Sequence, residues 1–190
     1  ILAALLLSLN GYSQGTVVFA NSAGTPVING ANGQPAPAGL FRVGLYYSTS
    51  LSAVPNPDAP DDLFNQAGAF ANVISGGIFI GGTRTITEAA PGTEVLFQVR
   101  AWSAAYATYE EHYNAARAGH ASFQLGASRL MRITTGGGAL PTPSLVVQGG
   151  LQSFVVGQRV PEPSMTALLF LGGLGAMVFR GRKLFVGRPR

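Results

Sequence analysis

Apolar and polar residues alternate along several short stretches of the chain. In Thr93–Ser103 (TEVLFQVRAWS) every second residue from Val95 to Ala101 is apolar, and Phe41–Ser48 (FRVGLYYS) follows the same order. A period of two residues is typical of half-buried β-strands, because successive side chains point to opposite faces. Further strands are predicted at Thr16–Ser22, Val73–Ile80, Thr83–Thr87, Ala121–Leu125, Leu145–Gln148 and Leu151–Val156. Glycine and proline between these strands favour an all-β fold, an Ig-like or jelly-roll-like β-sandwich.

The stretch TYEEHYNAARAGH interrupts the alternation and predicts one short helix, Tyr109–Ala118. Thr108 stands at the N-cap position with Glu111 three residues later, which is the capping-box arrangement, and Gly119 stands where the helix would end. Stretches too rich in proline and glycine for either element are predicted to be loops, and these are Pro55–Asp62 and Thr134–Pro143.

The first residues of the chain have the pattern of an export signal. Ile1–Leu9 is almost entirely apolar and is followed by small and polar residues, which matches the later part of a secretory signal peptide whose basic start is missing. A cut after Ser13, with Gly11 at the −3 position, fits the preference for small residues. A buried N-terminal strand or helix is the alternative, which the abrupt polar break disfavours. We expect residues 1–13 to be removed and residues 14–158 to form the β-sandwich domain.

A second apolar run, Met165–Phe179, contains fifteen residues without a charge. As a helix it would be about 22 Å long at ~1.5 Å per residue, against a hydrocarbon thickness of roughly 30 Å, so it predicts a short transmembrane helix. The basic stop formed by Arg180, Arg182 and Lys183 should stay on the cytoplasmic side, with the body outside. A buried core helix is the alternative, but glycines within the run disfavour it by roughly 1 kcal/mol each.

A short motif precedes this run and consists of Val160, Pro161, Glu162, Pro163 and Ser164. With the glycine-containing apolar run and the arginine-rich end, residues 159–190 resemble the PEP-CTERM sorting signal of exported bacterial proteins. The resemblance implies recognition by exosortase, a membrane-embedded cysteine transpeptidase that cuts near the Pro-Glu-Pro and releases or transfers the body to the cell surface. It also implies a protein of the cell envelope, cell surface or extracellular space that is anchored in the membrane only transiently.

The positive charge of the chain is concentrated behind the second apolar run. Of the 12 Lys and Arg residues, five follow Phe179, whereas residues 14–160 contain seven Arg and seven acidic residues. The body is therefore close to neutral, and nucleic-acid binding is not expected, because neutralising phosphates requires clustered cations. The chain contains no cysteine, which excludes disulfides, thiolate metal sites and a cysteine nucleophile.

Candidate catalytic or metal-binding side chains occur together at Glu110, Glu111, His112 and His120. Their spacing matches no HExxH or comparable motif, and Glu111 and His112, as neighbours in a helix, do not share a face. The acidic turn Asp58–Asp62 could hold Ca²⁺ through oxygen ligands, but interleaved prolines favour a solvated turn. No GxSxG elbow is present either. We expect a protein that is not an enzyme and that holds no metal or cofactor.

Aromatic residues in and near the predicted helix form a candidate glycan-binding strip. Exposed rings could stack on sugars, because they present flat apolar faces with a polar edge. Packing of these rings in the core is the alternative, with the single tryptophan between sheets. The candidates are Trp102, Tyr106, Tyr109 and Tyr113, with Tyr46 as a further exposed ring.

These patterns leave two hypotheses for function. In the first, the body is a structural or adhesive protein of the envelope or of the exopolysaccharide matrix of a biofilm. In the second, it is a carbohydrate-binding module that acts on exopolysaccharide through the aromatic strip. The body is similar in outline to domains of many PEP-CTERM proteins, through GTVVFAN, APGTEVLFQVRAW, TYEEHYNAARAG and LQSFVV, which implies a surface or matrix protein.

Overall fold

The structure of the protein is a computed structural model, which describes residues 14–54, 63–122, 124–148 and 150–157. The chain divides into two units, Ile1–Gln158 and Arg159–Arg190, and every described residue belongs to the first unit. Within these described ranges, no helix is long and apolar enough to cross a membrane. The predicted signal peptide, the predicted loop Pro55–Asp62 and the predicted transmembrane helix lie outside the described residues.

The regular structure of the described chain is mostly β-strands, with one α-helix, which confirms the predicted β-rich class. The helix α1, Tyr109–Arg117, has the predicted extent with Ala118 as its C-cap. A single 3₁₀ turn occupies Ser75–Gly77. The strands are β1 (Gly15–Ala20), β2 (Val27–Asn29), β3 (Gln34–Pro35), β4 (Phe41–Ser48), β5 (Asn65–Gln66), β6 (Ala71–Ile74), β7 (Ile78–Ile86), β8 (Glu94–Ser103), β9 (Gly126–Ala127), β10 (Met131–Thr134) and β11 (Phe154–Val156).

Eight of these strands form the main sheet, with the order β1-β7-β6-β4-β8-β10. Its centre is the antiparallel pair β4 and β8, which runs in unbroken register from Phe41 opposite Ser103 to Ser48 opposite Leu96. The short strands β5 and β9 pair with β4 and β8, respectively, outside this order. The two stretches with the clearest alternation in the sequence therefore lie side by side in the middle of the sheet.

One continuous segment joins the two edges of the main sheet. β10 pairs with β8 at one edge, and the Thr135 N–H extends this pairing by donating to the Thr93 carbonyl at 2.9 Å. The chain then changes partner, because Gly136 exchanges two backbone hydrogen bonds of 2.9 Å with Thr16 of β1. Further along, the Val18 N–H donates to the Pro143 carbonyl at 2.8 Å. The sheet is therefore curled, and this segment covers polar backbone groups that an edge strand would otherwise expose.

A second, three-stranded sheet has the order β11-β2-β3, with β11 parallel to β2. Its inward side chains, among them Val27, Phe154 and Val156, belong to the same hydrophobic core as Phe19 and Phe97 of the main sheet. Because the two sheets share one core, their outer faces point away from it. The choice between an Ig-like and a jelly-roll-like arrangement stays a prediction.

Several predicted strand boundaries are wrong. The predicted strand Val73–Ile80 is two strands, β6 and β7, because Gly76 and Gly77 adopt positive φ angles of 76° and 72° that L side chains rarely adopt. Leu145–Gln148 is a turn, in which the Gln148 N–H donates to the Ser144 carbonyl at 3.1 Å. Within the described part of Ala121–Leu125, Leu125 forms only an isolated bridge, to Gly157.

Candidate functional site

The candidate glycan-binding residues fall on the outer face of the main sheet. In β8, Val95, Phe97, Val99 and Ala101 face the shared core, so the intervening residues, including Arg100 and Trp102, face outward. This outer side is nevertheless buried, because α1 and the turn that precedes it lie over β8 and β4. We call these outward residues and the rings that cover them the aromatic layer: Arg42, Tyr46, Phe64, Phe70, Arg100, Trp102, Tyr106, Tyr109 and His112.

Trp102 is the centre of the aromatic layer and is 0% exposed. Its indole N–H donates to the Tyr106 carbonyl at 3.2 Å, and its ring makes edge contacts with Phe70 and Tyr109 at centroid distances of 6.0 and 6.3 Å. Gly44 on β4 leaves room for the indole, since a Cβ there would lie 3.2 Å from Trp102. The expectation that Trp102 is exposed is therefore wrong, because covering rings and a facing glycine make it a packing residue.

The other candidate rings differ in their exposure. Tyr106 and Tyr109 are half-buried, whereas Tyr113 and Tyr46 are buried, so the expectation of exposure is also wrong for these last two. Tyr106 stacks on His112 with a centroid distance of 4.4 Å and an interplanar angle of 3°. The fold thus brings Trp102, Tyr106 and Tyr109 together without forming a flat exposed platform from the predicted strip. Glycan binding by these residues stays a prediction.

Arg100 is a buried cation that sequence reasoning missed, and it is only 4% exposed. Its guanidinium lies 4.4 Å from the ring centroid of Tyr46, 5.4 Å from that of Tyr109 and 5.6 Å from that of Phe64. Its Nε–H also donates to the Gln98 side-chain oxygen at 2.9 Å. Ring faces attract cations, which offsets part of the loss of water around this charge. The alternation in β8 could have placed Arg100 on the outer face, but nothing local in the sequence signals the rings around it.

Tyr46 joins the sheet to the helix through its hydroxyl, which donates to the Glu110 carboxylate at 3.0 Å. Burial is the largest cause that raises the pKa of Tyr46 well above its usual range, and the neighbouring Glu110 carboxylate raises it further. The phenol therefore stays protonated at neutral pH. It serves as a hydrogen-bond donor and is not available as a general base.

His112 is buried between α1, the end of β8 and the residues after the helix. Its Nδ1 accepts a hydrogen bond from the Ser103 backbone N–H at 3.3 Å, and its Nε2 lies 3.1 Å from the Ser122 carbonyl, which assigns the proton to Nε2. Burial lowers the pKa of His112, while the bond to Ser122 opposes this shift. Both ring nitrogens are thus engaged with the backbone, and His112 connects three parts of the chain.

Other polar residues around α1 also form hydrogen bonds with backbone groups. The Thr108 hydroxyl accepts from the Glu111 N–H at 3.0 Å, and the Glu111 carboxylate accepts from the Ala107 N–H at 2.8 Å, so a helix cap forms as predicted. Arg42 donates to the Tyr106 carbonyl at 2.6 Å and lies over the Phe70 ring. His120 is exposed. Among the residues that the structure describes, no three His, Cys, Asp or Glu side chains are grouped to hold a metal ion.

The residues of the predicted sorting site lie outside the described residues. These are the motif Val160, Pro161, Glu162, Pro163 and Ser164 and the basic stop Arg180, Arg182 and Lys183. The described body reaches Gly157, directly after β11. Only residue 158 separates this point from the unit that begins at Arg159.

Comparison with protein families gives one finding, at this C-terminal unit. The family model described as the PEP-CTERM protein-sorting motif matches residues 159–183. This match confirms the resemblance inferred from the sequence. No curated protein and no solved structure matches the chain.

Proposed function

Starting from the PEP-CTERM sorting signal at residues 159–183, which indicates an exported protein sorted by exosortase, we propose that the body has a structural or adhesive role in the envelope or extracellular matrix. The sorting signal is the observation that carries this proposal. In the proposed sequence of events, the second apolar run halts in the membrane with its basic end in the cytoplasm. Exosortase then cuts near Glu162, and the body is delivered to the cell surface or beyond.

The contacts of the aromatic layer support a role without catalysis. His112 uses both ring nitrogens on backbone groups, and the Tyr46 hydroxyl is a protonated donor to Glu110. Arg100 is enclosed by rings and by Gln98. A general base or nucleophile must reach a substrate atom, and these groups are directed at the protein itself.

The proposal is tested by the intact mass of the protein recovered from membrane, surface and medium fractions of the native host. The surface or medium form should lack Met165–Arg190, whereas a Glu162→Ala variant should stay in the membrane fraction at full length. Gln152→Ala, an exposed change in the body, is the matched control and should be processed normally. A mature surface form that retains Met165–Arg190 would show a permanent anchor and overturn the sorting step.

The structural or adhesive role needs its own measurement. The processed form, purified from the surface fraction, should polymerise or adhere to host cells or matrix without added substrate. Loss of cell or biofilm cohesion in a deletion strain should be restored by the wild type and not by Glu162→Ala. Failure of the processed form to polymerise, adhere or restore cohesion would contradict this role while leaving the sorting step intact.

Glycan binding is a second candidate function, supported by partly exposed rings at the rim of the aromatic layer. Phe70, Tyr106 and Tyr109 surround Trp102 and reach solvent. Sugar stacking by this rim would retard the protein in gels containing a suitable polysaccharide, and Tyr109→Ala would remove the retardation. Val147→Ala, on a strongly exposed side chain outside the layer, is the control. No retardation or heat of binding across a panel of polysaccharides would exclude this role.

A further inference from the structure

The charges of the body are confined to the middle of its sequence. No Asp, Glu, Lys, Arg or His occurs before Arg42, and none occurs from Ile133 to Gln158. The fold brings these two charge-free stretches together. β1 bonds to Gly136 and lies beside Ser144, while β2 pairs with β11. The three-stranded sheet β11-β2-β3 is therefore built from uncharged residues, although its strands come from opposite ends of the sequence of the body.

This uncharged sheet has one face that is turned away from the shared core. On the outer side of that sheet, Val155 of β11 lies opposite Ile28 of β2, and Ile28 lies opposite Pro35 of β3. Val155 is 56% exposed and Pro35 is exposed, while Ile28 between them is half-buried. We call this row of three apolar side chains the exit face. The polar neighbours in the same strands, Asn29 and Gln34, are also uncharged.

β11 is held firmly in this sheet up to the point where the chain leaves it. The Gly30 N–H donates to the Val156 carbonyl at 2.7 Å, and a Cβ on Gly30 would lie 2.7 Å from the Gly157 Cα. On the other side, a Cβ on Gly126 would overlap the Val155 carbonyl oxygen. These close approaches, which only glycine permits, fix the end of the body beside the exit face.

The chain continues from this place into the sorting motif at residues 159–183. From Gly157 to Met165, where the predicted transmembrane helix begins, eight residues extend over at most about 29 Å. Until the chain is cut, the exit face is thus on a short tether to the bilayer. Charged groups near hydrocarbon lose water at a large free-energy cost, and this face carries none.

We infer that the exit face of the body lies against the lipid surface while the sorting signal is still attached. The inference rests on the proposed sorting of the protein at the membrane. The partner is the uncharged interfacial region of a phospholipid bilayer, which Val155 and Ile28 contact through apolar side chains. Because the face has no Lys or Arg to bind anionic headgroups, the contact is weak without the tether. Cutting near Glu162 therefore also frees the body from the bilayer.

The absence of cysteine from the chain makes this contact measurable with single labels. Val155→Cys and Pro35→Cys place a fluorophore on the exit face. Ile80→Cys places it on the outer face of the main sheet, where Ile80 is 70% exposed, and is the matched control. Full-length variants are reconstituted into phosphatidylcholine vesicles that contain a nitroxide-labelled lipid. Emission of the single Trp102 reports whether each variant is folded.

Both exit-face labels should be quenched by the nitroxide lipid at least about twice as strongly as the label at position 80. Equal quenching at all three positions, or no quenching at positions 35 and 155, would overturn the inference. Failure of the full chain to float with the vesicles would overturn it as well. Label-to-label contact at position 155 without lipid would instead assign the face to a second copy. The mass measurement on cell fractions tests sorting independently, so the proposed sorting and the proposed lipid contact can fail separately.

Discussion

The two outer faces of the body differ in charge and in covering. At β4 and β8 the outer face of the main sheet carries Arg42 and Arg100 and lies under α1, whereas the exit face has no charge and leaves Val155 largely exposed. Buried charges require compensating partners, and Arg100 has three rings and Gln98. The cation Arg100 and the aromatic rings around it thus serve internal packing, whereas the exit face presents uncharged apolar side chains to solvent.

The largest loss of stability should come from a substitution at the centre of the aromatic layer. Trp102→Ala should lower the free energy of unfolding by about 3–5 kcal/mol, because it leaves a cavity under α1. Urea unfolding followed by circular dichroism measures the change. Ile80→Ala, on an exposed side chain of the same sheet face, should stay within about 0.5 kcal/mol of wild type. Similar losses in the free energy of unfolding for both variants would mean that α1 does not bury the aromatic layer.

The next effect should come from the glycine contacts that hold β11. Gly126→Ala should lower the free energy of unfolding by about 1–3 kcal/mol, because the new Cβ overlaps the Val155 carbonyl oxygen. Amide hydrogen exchange at Gly30, which donates to Val156, should become faster. Gly24→Ala is the control, since its Cβ would meet only the Ser22 hydroxyl at 3.8 Å. Unchanged exchange at Gly30 in Gly126→Ala would contradict a fixed exit strand.

A smaller effect is expected for the hydrogen bond between the sheet and α1. Tyr46→Phe should lower the free energy of unfolding by about 0.5–1.5 kcal/mol, since it leaves the ring over Arg100 and removes only the bond to Glu110. The same loss in a Glu110→Gln background would show that the two groups do not interact. A double-mutant cycle from urea unfolding separates these outcomes.

The smallest expected effect is a dependence of stability on pH at His112. Burial lowers the pKa of His112 in the folded protein below 6.5, so the unfolded chain binds the proton first as the pH falls. The contribution of His112 is therefore complete above about pH 6.5 and declines as the pH falls towards the lowered folded pKa. Urea midpoints between pH 4 and pH 8 measure this, with the exposed His120→Gln as control. If a His112→Gln variant kept the full pH dependence of stability, that dependence would belong to other groups.

The sequence predicted those elements whose signals are local. The alternation in Phe41–Ser48 and the Thr108 cap before α1 gave correct bounds, because neighbouring residues decide strand faces and helix ends. The short strands β2, β3, β5 and β9 escaped prediction, since two or three residues carry no readable period. The segment Leu145–Gln148 was wrongly predicted to be a strand because it begins with a run of apolar residues. In the structure it is a turn, and Leu145 is its only fully buried residue.

The sequence by itself determined that the chain carries a sorting motif and which residues share a strand face. The sorting motif is a linear signal, and the match at residues 159–183 confirms it without any folded geometry. Only the tertiary structure decided that Trp102 and Arg100 are buried, that residues 131–145 join the two sheet edges, and that the charge-free ends of the body meet in one sheet. The physical reason is that a period of two identifies which residues share one face of a strand. What covers that face depends on parts of the chain that are distant in sequence and meet only in the folded protein.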